Sequence, residues 1–202
     1  MQLASLAAFP GLKIFIFLIT FFAWMMAEGA NAKRDKQRPQ TKSTLKDRGS
    51  KTTILVAVYI GMISASIFAV FFTGADVNSY SPYIFALGIA MVWVGIYIRE
   101  TAVKTLGNNF TTVVIVERNQ KVINSGLYRY VRHPSYTGAL ITMLGFGLSF
   151  TNVLSFAACF IPVLIAIINR IGIEERALKG VIGKPYLDYA QATNYRLIPL
   201  IW

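Results

Sequence analysis

The chain has 202 residues, of which 55% are hydrophobic and only 14% charged, and its formal net charge is +11. A soluble domain usually carries about 25% charged residues. Here the apolar residues also lie in long blocks instead of alternating, which points to a protein of the bilayer. The basic excess sits beside those blocks, where Lys and Arg fix membrane orientation, so it does not read as a nucleic-acid surface. A single cysteine, Cys159, and a single histidine, His133, exclude an internal disulfide, a Cys/His metal cluster and a zinc site built on several histidines.

The first apolar block runs from about Leu12 to Ala27 and predicts a membrane helix. Gly29-Ala30-Asn31-Ala32 after it resembles a signal-peptide cleavage site. Two features favour a retained helix instead: the first basic residue, Lys13, comes late, and a strongly basic stretch follows. Lys33 to Lys51 carries eight Lys and Arg against Asp35 and Asp47. It reads as a solvated loop held on the cytoplasmic side, in contact with anionic lipid headgroups.

Thr53 to Phe72 is twenty residues without a charge, the length of a spanning helix. Thr73 to Pro82 is a short loop, and Tyr83 to Ile98 is a third apolar block ended by Arg99 and Glu100. Thr101 to Arg132 is polar, with turn signals at Gly107-Asn108-Asn109 and Asn124-Ser125-Gly126, and Val113–Val116 predicts a short strand. Tyr136 to Ile168 is uncharged for 33 residues. A single helix of that length would span roughly 50 Å, against a hydrocarbon core of about 30 Å. A hairpin turning near Phe150-Thr151-Asn152 with short legs fits better. The tail from Arg170 is mixed in charge and is broken at Gly183-Lys184-Pro185.

The expected fold is therefore an all-α integral membrane protein with about five transmembrane helices. Residues 1–100 supply the N-terminal helices and the basic loop 33–51. Residues 101–202 form a second region, with the polar segment, a helical hairpin at 136–169 and a C-terminal tail. Five spans place the Lys33–Lys51 loop, the Arg99–Arg132 segment and the tail on one side. All three are basic and the opposite loops are not, which puts that side in the cytoplasm and the N-terminus outside.

Two groups of residues carry chemical potential. Gly126 to Gly138 packs two arginines, His133 and three tyrosines immediately before an apolar helix. Its plain alternative is a basic-aromatic membrane anchor. Against that, His133-Pro134 marks a helix start, whose first turn presents backbone donors suited to an anionic group. The second group is Arg170 with Glu174 and Glu175. Arg170 and Glu174 share a helix face at four-residue spacing, and the plain alternative is a surface ion pair. A two-span hairpin returns Arg170 to the membrane surface at which the His133 segment enters, and ionisable residues at that depth are functional candidates. There is no serine nucleophile elbow, P-loop or GxGxxG fingerprint.

In these residues the sequence resembles the isoprenylcysteine carboxyl methyltransferase family and, more broadly, the phospholipid methyltransferase superfamily. The resemblance covers about Gly107 to Pro199. It rests on Ser125-Gly126-Leu127-Tyr128, Arg132-His133-Pro134-Ser135-Tyr136-Thr137-Gly138, Arg170-x-x-x-Glu174-Glu175, Gly183-x-x-Tyr186-x-x-Tyr189 and Arg196-Leu197-Ile198-Pro199, in the family's order and spacing. It implies S-adenosylmethionine as methyl donor, leaving as S-adenosylhomocysteine, in a cytosolic pocket that is not a Rossmann domain. The pocket is formed by the loop before the last hairpin and the C-terminal helices. Carried over by position, the cofactor residues are Gln120, Lys121, Val122, Ile123, Tyr128, His133, Pro134, Ser135, Tyr136 and Glu174. Arg170 is the catalytic residue that faces a substrate carboxylate, and no metal is involved. Family members often carry a polar residue near Ile115; it is apolar here, so that contact is not transferred. The implied substrate is a lipophilic acid such as a prenylated cysteine, entering from the bilayer between helices. A phospholipid amine or a small thiol is the alternative acceptor, and a non-catalytic lipid-binding protein the alternative class.

Overall fold

The structure is a computed structural model that describes residues 10–36, 44–45, 47, 49–77, 81–117 and 120–202. Among the described residues six helices dominate: α1 Pro10–Lys36, α2 Ser50–Phe71, α3 Ser81–Leu106, α4 Pro134–Ser149, α5 Val153–Val181 and α6 Lys184–Ala192. Four of them, α1, α2, α3 and α5, are long and apolar enough to cross a membrane. α4 is shorter: its 16 residues rise about 24 Å. The chain thus forms an all-α, multi-pass membrane fold.

The 136–168 block is a hairpin, as its length demanded. Thr151 turns with φ 53°, and the Asn152 side chain caps α5 by accepting from the Ser155 N–H at 3.0 Å. Asn152 also donates to Asp76 and to the Phe72 carbonyl, which ties the two turns at this end of the bundle. At the opposite end the basic segments converge.

Two boundaries differ from the sequence reading. α1 does not stop at Ala27 but runs unbroken through Gly29–Ala32 to Lys36. Glu28 and Asn31 reach partners on α3, which holds those extra turns helical. Likewise α3 continues past Arg99 and Glu100 to Leu106, because both charges find partners on α1. The basic loop is also less solvated than expected. Thr44–Leu45 (β1) pairs antiparallel with Ile115–Val116 (β2), inside the expected 113–116 strand, and Asp47 turns inward. Residues 37–43, 46 and 48 of that loop lie outside the described residues.

Glycines set the tightest helix contact. Gly88 and Gly95 on α3 face Gly145 and Gly138 on α4. A Cβ on Gly145 would stand 2.6 Å from both the Gly88 carbonyl oxygen and the Val92 nitrogen. Lipid tails are as apolar as side chains, so close backbone approach is what holds such helices together. Thr142 and Ser149 lie in the same seam and turn their hydroxyls onto their own helix, at the Gly138 and Gly145 carbonyls. α2 packs on α5 at Gly61, beside the Ala158 carbonyl, which Pro162 leaves without its helical N–H partner. On the other flank Phe17, Phe21 and Trp24 of α1 surround the fully buried Phe146 of α4.

The C-terminal tail is locked to the start of α4. The Arg132 and His133 N–H groups donate to the Tyr195 and Arg196 carbonyls, both at 2.9 Å. Arg132 Nη1 faces the carbonyls of Ala190, Thr193 and Asn194, so a cation closes the C-terminal end of α6. Glu175, whose side chain is 5% exposed, accepts from Arg132 Nε at 2.9 Å and from Arg196 Nε and Nη2 at 3.2 Å.

Gly145→Ala is expected to separate α3 from α4 and cost about 2 kcal/mol. Gly11→Ala, where nothing lies within 4 Å of the new Cβ, should stay within about 0.5 kcal/mol. Thermal melts in detergent compare the two. Glu175→Gln leaves two buried or half-buried guanidiniums short of a carboxylate and should cost about 3 kcal/mol in the same melt. A tail more open to proteolysis beyond Ala192 is the accompanying sign.

Candidate active site

At the charged end a cavity of about 570 Å³ opens within the bundle. Where α1 and α2 line it, one arm is mainly apolar, with Phe21, Trp24 and Met25 from α1 and Leu55, Val58 and Met62 from α2; Glu28 and Lys51 are the charged residues these helices add. The other arm carries the polar groups and is built from residues 109–112 and 120–123, the start of α4, the later turns of α5 and α6. Nearly every residue singled out from the sequence lines it: Gln120, Lys121, Val122, Ile123, Tyr128, His133, Ser135, Tyr136, Arg170 and Glu174. Pro134 does not. It is fully buried in the first turn of α4, where it fixes the direction in which His133 and Ser135 leave the helix start.

Arg170 and Glu174 do not form the surface ion pair that their spacing allows. The Tyr136 hydroxyl stands between them: it accepts from Arg170 Nε and donates to Glu174 Oε2, both at 2.7 Å. The Arg170 side chain is only 4% exposed. Nη1 donates to Asp47 Oδ1 at 2.6 Å and to Ser50 Oγ at 2.8 Å, and Nη2 donates to the Thr112 carbonyl at 2.9 Å. Of the five guanidinium N–H groups, one on Nη2 is left without a partner among the described residues. A second carboxylate cannot take two parallel N–H groups from Arg170 unless one of these contacts yields.

Asp47 was absent from the sequence reading of the site, where it passed as part of a solvated loop. Its Oδ1 also accepts from the Ser50 hydroxyl and the Val114 N–H, and Oδ2 accepts from the Lys51 N–H. Burial pushes its carboxyl upward, but these hydrogen bonds and the charge of Arg170 outweigh it and hold the group below the usual carboxylate range. Thr112 completes this side: its hydroxyl donates to Asp35 at the end of α1 and accepts from Lys51 Nζ at 2.8 Å.

Arg99 is the second residue that the sequence reading missed. By its sequence context it ends a membrane block, yet it lines the cavity. Nε and Nη2 form a bidentate pair with Glu28, and Nη1 donates to the Ser135 hydroxyl at 3.0 Å and to the Ser135 carbonyl at 3.3 Å. The signal available in the sequence was an arginine on an apolar helix, within reach of Glu28 on a second apolar helix.

His133 is 5% exposed and lies between two carboxylates, with Nε2 3.3 Å from Glu175 and Nδ1 3.9 Å from Glu174. Its ring stacks on Tyr136 at 5.7 Å. Tyr128 is buried, and burial together with the charge of Glu174 raises its phenol well above its ordinary value. Tyr189 donates to the Tyr128 carbonyl at 2.8 Å, and burial pushes its own phenol up to about 12. Tyr186 lines the same wall and is 3% exposed. Among the described residues no group lies close enough to form metal ligands in a cluster of three.

Residues 87–180 match the model of the isoprenylcysteine carboxyl methyltransferase (ICMT) family. A protein-S-isoprenylcysteine O-methyltransferase B of Arabidopsis thaliana is 36% identical over 106 residues, 52% of this chain and 54% of its own length. A protein-S-isoprenylcysteine O-methyltransferase of Tribolium castaneum is 32% identical over 107 residues, 52% of this chain and 38% of its own. Among solved structures, that of the eukaryotic intramembrane Ras methyltransferase ICMT without a monobody superposes with a TM-score of 0.60 at 26% identity. It covers 74% of this chain and 53% of that one. The chain spans about half the length of the plant relatives it matches. In sequence over residues 87–180 and in fold, this chain is similar to the isoprenylcysteine carboxyl methyltransferase family.

Proposed function

We propose that this protein is an S-adenosylmethionine-dependent methyltransferase that esterifies the carboxylate of a lipophilic substrate such as a prenylated cysteine, at a site on the cytoplasmic side of its membrane. The observation that carries the reading is the two-armed cavity. An apolar cleft between α1 and α2 meets a polar arm at Arg170, Arg99 and Glu174. A prenyl tail suits the first arm and a carboxylate the junction. Residues 101–202 then hold the transfer chemistry, and residues 1–100 supply the lipid cleft and the groups that brace Arg170.

The polar arm fits the methyl donor by its chemistry. Glu174 offers a carboxylate to a cationic group, and the rings of Tyr128, His133 and Tyr136 offer flat faces beside it. Gln120 to Ile123 and Ser135 complete that wall. When bound there, S-adenosylmethionine supplies an electrophilic methyl group on a sulfonium.

The chain's own residues have a limited task. A carboxylate is already ionised at neutral pH, so no residue has to remove a proton from it. Among the described residues Arg170 and Arg99 each keep one N–H without a protein partner, and they brace adjacent residues, Tyr136 and Ser135. Together they supply donors and positive charge to orient an acceptor carboxylate. Asp47, Ser50 and Thr112 fix the plane of the Arg170 guanidinium, and the apolar arm excludes water from the transfer. An amine acceptor would need a base, and His133 turns both ring nitrogens to Glu174 and Glu175. That arrangement favours the carboxylate over a phospholipid amine.

Purified protein incubated with labelled S-adenosylmethionine and a prenylcysteine analogue should form a base-labile methyl ester. Label appearing only in lipid amines or thiols, or nowhere, would sink the reading. Arg170→Ala should abolish turnover and spare S-adenosylhomocysteine binding, whereas Glu174→Ala weakens both; equal losses of cofactor affinity contradict this division of roles. Asp47→Asn should lower kcat/KM for the carboxylate about ten- to a hundredfold through a misplaced guanidinium, with cofactor affinity within about twofold of the unaltered chain. A matching fall in cofactor affinity would show a general loss of fold instead.

A further inference from the structure

Tyr186 and Tyr189 lie one helical turn apart on α6, with ring centroids 6.0 Å apart. Both are buried and both line the cavity, yet they differ in one respect. Tyr189 donates to the Tyr128 carbonyl. The Tyr186 hydroxyl is buried with no hydrogen-bond partner, the one such side-chain atom among the described residues. Folded proteins rarely leave a buried hydroxyl unpaired, because it loses its water without gaining a partner. Burial and the nearby charges of Glu175 and Glu174 keep this phenol protonated, so it is a donor that lacks an acceptor.

We infer that the Tyr186 hydroxyl is a further cofactor-binding group, donating to an acceptor atom of the bound methyl donor. This rests on the function proposed above. The position of Tyr186 selects the cofactor over the methyl acceptor. Tyr186 is coupled through Tyr189 to Tyr128, in the polar arm, and it shares that wall with Leu178 of the last turn of α5 and with Ile182, which caps it. A prenyl tail in the α1–α2 cleft has no acceptor to offer, and the junction where a carboxylate is held is ringed by Asp47, Ser50 and Thr112. The methyl donor instead carries ribose oxygens, ring nitrogens and a carboxylate, each of which accepts from a phenol.

The test is calorimetric titration of S-adenosylhomocysteine into the full chain in detergent, with no methyl acceptor present. Tyr186→Phe should weaken binding about three- to thirtyfold, the range of a single buried hydrogen bond, and leave the ligand-free melting temperature unchanged, since no internal bond is lost. Tyr189→Phe should lower the ligand-free melting temperature, because it breaks the bond to Tyr128. The inference is overturned if Tyr186→Phe binds S-adenosylhomocysteine like the unaltered chain, if only the KM of the acceptor changes, or if its ligand-free melting temperature falls as that of Tyr189→Phe does. No binding by the unaltered chain removes the underlying reading, and the inference with it.

Discussion

Charge in an apolar surrounding must be paired, and most of this architecture follows from that constraint. An isolated guanidinium withdrawn from water is far too costly to persist. Arg170 of α5 is therefore matched by Asp47 before α2, Arg99 of α3 by Glu28 of α1, and Arg132 before α4 by Glu175 of α5. In each case the partners come from different elements. The same requirement that neutralises the cations thus fastens the bundle at one end and gathers its positive groups around one cavity. The opposite end is tied by Asn152 to Asp76 and the Phe72 carbonyl, and by Lys13 to Ser81.

Helix–helix packing solves a separate problem. With apolar side chains on every face, hydrophobicity gives the helices no reason to choose a neighbour. The choice falls to shape: Gly88 and Gly95 recur at seven residues, as do Gly138 and Gly145, so two flat strips meet. The α3–α4 pair then acts as a rigid wall that fixes Arg99 against Ser135. α1 and α2 are held from outside this wall, through α3 and α5, and the gap left between them is the apolar arm of the cavity.

Much of this was legible in the sequence, and what was not has a common physical reason. The spans, the hairpin turn at Thr151-Asn152 and the helix starts at Pro134 and after Gly183 follow from local rules of length, charge and turn chemistry. The motif residues from Gln120 to Glu174 were placed by resemblance, and all but Pro134 line the cavity. Asp47 and Arg99 were misread because their local context is bland: one acid in a basic loop, and one arginine ending an apolar block. Their roles are set by Arg170, 123 residues away, and by Glu28, 71 residues away, and no local pattern encodes such contacts. Where one helix stopped was misjudged for the same reason. α3 runs on through Arg99 and Glu100 because distant partners make those charges tolerable.

The pairing of Arg132 and His133 with Tyr195 and Arg196 bears on how the molecule is made. The residues that open α4 emerge early in synthesis, and their backbone partners more than sixty residues later. Until residues 190–197 are in place, the C-terminal end of α6 lacks its closing cation and Glu175 lacks Arg196. The cavity wall that α6 supplies, Tyr186 and Tyr189, is thus held in place by contacts that reach from the start of α4 to the tail.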